Sequence, residues 1–228
     1  TTDDTALSIS GTLTAGLVTG ETVRIYDGST FLGTATVSGT TWSYVDSRTL
    51  ANNQTVSYTA RVADAAGNQS AAGTAYTATV DLTAPTTTAA VTAITDDVGS
   101  ITGTVASGAT TDDTALSISG TLTAGLVAGE SVRIYDGSTL LGTATVDGTS
   151  WSYSDSRTLT NNQALSYTAR VIDAAGNQSA AGTAYTATVD TAAPSAPLLT
   201  LGSGVSGGAT ATEATATGGV VTLTAEAG

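Results

Sequence analysis

SVRIYDGSTLLGTATVDGTSWSYS, residues 131–154, decides the fold. Val132 and Ile134 alternate with Arg133 and Tyr135, an Asp-Gly turn follows, LLGTATV runs to a second Asp-Gly, and Trp151 and Tyr153 then alternate with serines. A period of two broken by Asp-Gly pairs reads as antiparallel strands joined by tight turns. The pattern extends outward through ALSISGTL before it and ALSYTARVID and GTAYTATVD after it, with AGLVAGE, TNNQ and DAAGN as turn segments. No segment keeps a 3.6-residue period. The chain therefore predicts an all-β fold, an antiparallel sandwich of about seven strands, with threonines on the solvated strand faces. The expected inward set is Leu116, Ile118, Val132, Ile134, Trp151, Tyr153, Leu165, Tyr167, Val171, Tyr185 and Val189. Trp151 and its counterpart Trp42 read as core anchors.

The same text occurs twice. An offset of 109 residues brings 1–85 onto 110–194, and only 12 of the 85 aligned positions differ. TTDDTALSISGTLTAGLV is identical at 1–18 and 110–127. A period of that length exceeds a solenoid unit and suits a row of self-sufficient domains. The expected divisions are 1–84, a module lacking its first strand; 85–194, a complete module; and 195–228, the partial opening of a third, divergent one.

Composition narrows the chemistry. The 228 residues contain no His, Cys or Met, and all six basic residues are Arg. Ser-His-Asp and Cys-His catalysis cannot be assembled, and zinc loses its two best ligand types. The absence of Cys excludes a disulfide framework and says nothing about compartment. A net charge of −13 argues against nucleic acid and against anionic membranes as partners. No apolar run is long enough to span a membrane, so no membrane insertion is expected.

TDDVGSITGTVASGATTDDTALSISGTL, VRIYDGSTLLGTATVDGTSWSYS, YTARVIDAAGNQS and TATVDTAAP together resemble the bacterial Ig-like tandem modules of giant repeats-in-toxin and biofilm-associated adhesins. The resemblance covers nearly all of 1–194. It implies Ig-like sandwiches in tandem, end to end, acting as a non-enzymatic extender on the bacterial cell surface, with calcium stiffening the linkers. The tail, 195–228, departs from the pattern: it lacks the TDDVGS segment and contains no Asp.

The candidate metal ligands are repeated acids and amides: Asp3 and Asp4 with Asp112 and Asp113, Asp64 and Asn68 with Asp173 and Asn177, Asp81 with Asp190, and the pair Asp96 and Asp97. Ca²⁺ takes six to eight oxygens from such groups and from backbone carbonyls; equally, Asp in these loops serves as an Asx-turn residue. Strand alternation brings Asp3, Asp4 and Asp81 towards Asp173 and Asn177 at the junction of the modules. Asp96 and Asp97 join them only if the first strand starts after them. Arg24 with Arg61, and Arg133 with Arg170, should be outward neighbours, able to bind a glycan or to pair with Asp and pack over Tyr.

Three functions are expected from these residues. The first is a calcium-stiffened extender whose partners are its neighbouring modules. The second is an extracellular filament or surface-layer subunit in which 195–228 of one chain completes the first module of an identical chain. The third is a spacer or sugar-binding module attached to a carbohydrate-active enzyme. The start of the chain at TTDD is expected to reflect either a window on a longer polypeptide or that strand exchange.

Overall fold

The computed structural model describes residues 1–201 and 221–224, and it is all-β, with no helix among them. Among the described residues no helix is long and apolar enough to cross a membrane. The first repeat contains β1 (Ser8–Thr12), β2 (Thr22–Asp27), β3 (Thr30–Thr34), β4 (Thr36–Ser38), β5 (Thr41–Val45), β6 (Thr55–Ala63) and β7 (Tyr76–Thr79). They form a three-stranded sheet, β1-β5-β4, and a four-stranded sheet, β3-β2-β6-β7. The second repeat contains β8 (Ala89–Asp96), β9 (Gly103–Val105), β10 (Ala109–Thr111), β11 (Ser117–Leu122), β12 (Ser131–Asp136), β13 (Thr139–Thr143), β14 (Thr145–Asp147), β15 (Ser150–Ser154), β16 (Ala164–Ile172) and β17 (Tyr185–Val189). These make two five-stranded sheets, β14-β15-β11-β8-β9 and β10-β17-β16-β12-β13.

The topology follows from local chemistry. Tight turns at Gly137 and Gly148, both at positive φ, close β12 onto β13 and β14 onto β15. LLGTATV is one run that changes sheets: Ala144 interrupts it, so that β13 pairs with β12 while β14 pairs with β15. The sandwich is antiparallel except that β10 runs parallel to β17, and the bridge Thr2–Val80 repeats that contact in the first copy. Thr110 and Thr111 of TTDD thus belong to a strand, where the sequence suggests a loop, because their backbone pairs with the chain's outgoing strand.

Of the eleven positions expected to point inward, nine are buried, and Tyr153 and Tyr185 are half-buried against the same core. Each of these tyrosine hydroxyls reaches a backbone carbonyl: Tyr153 donates to Leu141 at 2.9 Å and Tyr185 to Val105 at 2.8 Å. Trp151 is buried at 3% exposure and packs in the second core. Trp42 packs against the first core but stays half-buried.

That difference has one structural cause. In the second repeat β11 lies between β15 and β8; in the first, β1 pairs only with β5 among the described residues. Without a strand like β8, Leu7, Ile9 and Leu13 are only half-buried, whereas Leu116, Ile118 and Leu122 are buried. No strand pairing links the two repeats, and their two cores share no residue. Beyond them, β18 (Leu198–Leu201) pairs with β19 (Val221–Thr224). The expected opening of a third module lies largely outside the described residues.

Candidate functional site

The acids occupy three settings. The first is the junction between the repeats. Asp173 folds the loop DAAGN around itself: one carboxylate oxygen accepts the backbone N–H groups of Ala175, Gly176 and Asn177 at 2.8–2.9 Å, and the other accepts the Asn177 amide at 2.9 Å. Burial works to raise this carboxyl, but the Asn177 side chain and the three N–H donors outweigh it and hold the pKa below the ordinary value. The same loop in the first repeat repeats the geometry: Asp64 accepts the Asn68 amide and backbone N–H, both at 2.8 Å, and its pKa is lowered chiefly by Asn68. These are the Asx-turn roles the sequence allows.

The loop at 173–177 touches the first repeat. The N–H of Asp3 donates to the Ala175 carbonyl at 3.3 Å, and the Asn177 amide donates to the Asp81 carbonyl at 2.8 Å. Asp3 and Asp81 therefore meet Asp173 and Asn177 as strand alternation suggests. Asp4 turns back on its own chain and accepts the Ala6 N–H at 2.8 Å, and Asp81 accepts the Thr83 N–H at 3.0 Å. Asp64 and Asn68 sit in the equivalent loop of the first repeat.

The second setting holds the remaining candidate ligands. β8 starts before both acids and ends at Asp96, with Asp97 directly after it, and strand direction carries them away from the junction. Asp96 is buried and accepts the Thr111 hydroxyl at 2.6 Å and the Val98 N–H at 3.1 Å. Asp113 is buried and accepts the Ala115 N–H at 2.7 Å, while the Asp97 N–H reaches it at 3.4 Å. Asp96, Asp112 and Asp190 line a shallow hollow of about 210 Å³. Among the described residues, no three acidic side chains converge as a metal-holding group. A calcium ion at either end would have to draw most of its oxygens from backbone carbonyls and water.

The third setting was missed in the sequence and is the most strongly built. Asp155 is buried, and Arg157 grips it through Nε at 3.0 and 3.1 Å and Nη2 at 2.6 Å. Tyr167, fully buried, donates its hydroxyl to the same carboxylate at 2.7 Å. Arg157 also pairs with Asp136 at 2.9 Å, and Asp136 accepts the Ser166 N–H at 2.8 Å. Asp46, Arg48, Tyr58 and Asp27 repeat the arrangement in the first copy. Burial works to raise Asp155, but Arg157 and Tyr167 outweigh it and the carboxyl is lowered. In the first copy the Arg48 hydrogen bonds dominate, against burial and with help from Tyr58, and hold Asp46 at about 2. Burial and the neighbouring carboxylate push both tyrosines upward. The clue in the sequence is phase: in SWSYSD, Trp151, Tyr153 and Asp155 alternate, so Asp155 falls on the inward face.

A carboxyl depressed in the folded state binds fewer protons folded than unfolded. Its stabilisation is complete above about pH 4 and is lost as pH falls through 2. Asp46 should contribute on the order of 1–2 kcal/mol, because Arg48 is itself 36% exposed. Denaturant unfolding of the chain at pH 5 and at pH 2.5 should show that loss, and Asp46→Asn should flatten the pH dependence.

The outward arginines are cross-strand partners, Arg24 with Arg61 and Arg133 with Arg170. Arg61 donates to the Ser70 carbonyl at 3.1 Å and Arg170 to the Ser179 carbonyl at 3.2 Å. Arg24 lies over the Phe31 ring at 5.6 Å. The expected Asp and Tyr partners belong instead to Arg48 and Arg157, which the turn DSR sets beside their carboxylates.

No protein-family model matches the chain. It is similar to exoglucanase B of Cellulomonas fimi, with 33% identity over 223 residues, covering 86% of this chain and 18% of that protein. The chain thus spans less than a fifth of the curated relative it matches. A solved structure of Gamma-CGTASE from alkalophilic Bacillus clarkii aligns over 81% of this chain and 24% of its own, at 15% identity and a TM-score of 0.23, too low to bear on the fold.

Proposed function

We propose that the chain is a non-catalytic spacer of Ig-like sandwiches carried by a carbohydrate-active enzyme. The observation that carries this reading is the 33% identity to exoglucanase B over most of this chain but only 18% of that protein. A similarity confined to so small a share fits an accessory region beside a catalytic one. The chemistry supports it: the repeated acids hold turns, the buried Asp46 and Asp155 are bound to arginine and tyrosine, the buried Asp96 and Asp113 to a threonine hydroxyl and backbone N–H groups, and a repeated stretch with no His or Cys offers little to a reaction. The purified chain should release no reducing sugar from β-glucans and should not be retained on them. Sugar release would overturn the spacer reading in favour of an enzyme. Retention that is lost in Arg133→Ala or Tyr135→Ala would replace spacing with sugar binding.

A second reading, an extender of a bacterial surface adhesin, is favoured by the near-identity of the two copies, since duplication is a direct way to set length. Both readings place the chain outside the cell. Calcium stiffening of the junction at Asp3, Asp81 and Asn177 belongs to the second. Thermal melting with calcium and with a chelator tests it: saturation at 100 times the dissociation constant adds roughly 2.7 kcal/mol, and an unchanged midpoint removes the ion from the account.

A further inference from the structure

The chain contains three Asp-Gly pairs, Asp27-Gly28, Asp136-Gly137 and Asp147-Gly148. All three glycines turn a hairpin with almost the same backbone, at φ 56°, 57° and 58°. Aspartate before glycine is the dipeptide in which a backbone nitrogen most easily attacks the preceding side chain, because glycine has no Cβ to shield that nitrogen. Dipeptide and turn are alike at the three sites, and only the surroundings differ.

Asp136 and Asp27 are held at both reacting ends. One carboxylate oxygen of Asp136 accepts the Ser166 N–H at 2.8 Å and the other accepts Arg157 at 2.9 Å. The Gly137 N–H donates to the Ser166 carbonyl at 2.9 Å. Asp27 and Gly28 repeat these bonds with Ser57 and Arg48. Both acids end strands that are flanked on two sides, β12 by β13 and β16, and β2 by β3 and β6. Asp147 has none of this. Among the described residues its exposed carboxylate accepts no hydrogen bond, and the Gly148 N–H donates none. Its strand, β14, is three residues long and pairs only with β15, at the sheet edge. A short edge strand opens locally at small cost. In the first repeat Ser38 stands at this position and brings no carboxyl.

We propose that Asp147 is a site of spontaneous backbone isomerisation, selected over Asp27 and Asp136 by the fold. The Gly148 nitrogen bonds to Cγ of Asp147, and the N–H proton and the carboxyl hydroxyl leave as water, closing a succinimide ring. Water, the one co-reactant, then adds to either ring carbonyl. Addition at Cγ restores aspartate. Addition at the main-chain carbonyl leaves the chain running through Cγ, as isoaspartate with one more carbon in the backbone. That carbon enters the two-residue turn between Asp147 and Ser150, whose register sets Val146 opposite Trp151. Isomerisation should therefore unpair β14 and loosen Val146 from the second core, which it packs against. The proposal is independent of the spacer reading, since the bond is at risk whatever the chain holds apart.

The test uses the full chain, kept folded in mildly acidic buffer at about 37 °C for several weeks. Trypsin cuts after Arg133 and Arg157, so one peptide, 134–157, carries Asp136 as the internal control for Asp147, and the peptide 25–48 carries Asp27. Electron-transfer fragmentation in a mass spectrometer places isoaspartate residue by residue. Isoaspartate should accumulate at position 147 roughly tenfold faster than at 136 or 27, because only there does local opening precede attack at little cost. In guanidinium chloride the three sites should react at similar rates. Asp147→Ser, which installs the first repeat's residue, should leave the 134–157 peptide with no more isoaspartate than Asp136 supplies. No isoaspartate at 147, equal rates at the three sites in the folded chain, a preference for 147 that persists in denaturant, or an undiminished signal in Asp147→Ser would overturn the proposal.

Discussion

Asp155→Ala should lower the stability of the second sandwich by about 3 kcal/mol, the cost of breaking a buried, hydrogen-bonded charge pair from one side. The substitution removes at once the acceptor of a fully buried tyrosine hydroxyl, of the Arg157 guanidinium and of the Arg157 backbone N–H. Arg157, one-third exposed, can turn to water and to Asp136, and this keeps the loss near the lower end of the range for such pairs. Tyr167→Phe deletes one hydrogen bond and keeps the ring, so it should cost about 1–2 kcal/mol. Denaturant melts followed by near-ultraviolet circular dichroism measure both. Equal effects of the two substitutions would mean that the arginine grip adds nothing.

Gly182→Val and Gly73→Val are the same change in two copies of one sequence, and they should have opposite outcomes. In the second repeat the new side chain meets the backbone of β8 at Ala89 and Ala90. Backbone cannot yield as a flexible side chain can, so either β8 is pushed off β11 or the core dilates. The expected cost is about 3 kcal/mol, with increased exposure of Trp151. In the first repeat a built Cβ lies at ordinary contact distance from Ala60 only, and the change should stay within about 0.5 kcal/mol of the parent. Trp151 fluorescence in a Trp42→Phe background separates the two. A silent Gly182→Val would show that β8 does not lie where the glycine makes room for it.

Much of this architecture is legible in the residues. Val132, Ile134, Leu165 and Val171 alternate with polar neighbours on strands closed by glycine turns, and that periodicity places them in the core. Asp173 and Asn177 are legible as a turn, and their meeting with Asp3 and Asp81 follows from strand direction. What periodicity alone does not give is partnership. Asp155 alternates in phase with Trp151, yet an acid on an inward face finds its place only through Arg157, two residues on, and Tyr167, a strand away. TTDD reads as a loop because its acids are turn formers, and only the parallel pairing to β17 shows that its threonines are strand. The places of Asp96 and Asp97 depend on where the first strand starts, which periodicity does not fix; β8 runs from Ala89 to Asp96. Gly11, Gly73, Gly120 and Gly182 carry no periodic signal; their meaning lies in the backbone that passes over two of them.

Small-angle X-ray scattering of the monomer tests the spacer account most directly. A single compact body of 228 residues has a radius of gyration of about 17 Å. Two separately folded sandwiches joined through the 173–177 loop should give a value well above that, with a distance distribution skewed towards long separations. A value near 17 Å with a symmetric distribution would mean that the copies close into one globule, and the chain could not then serve to hold things apart.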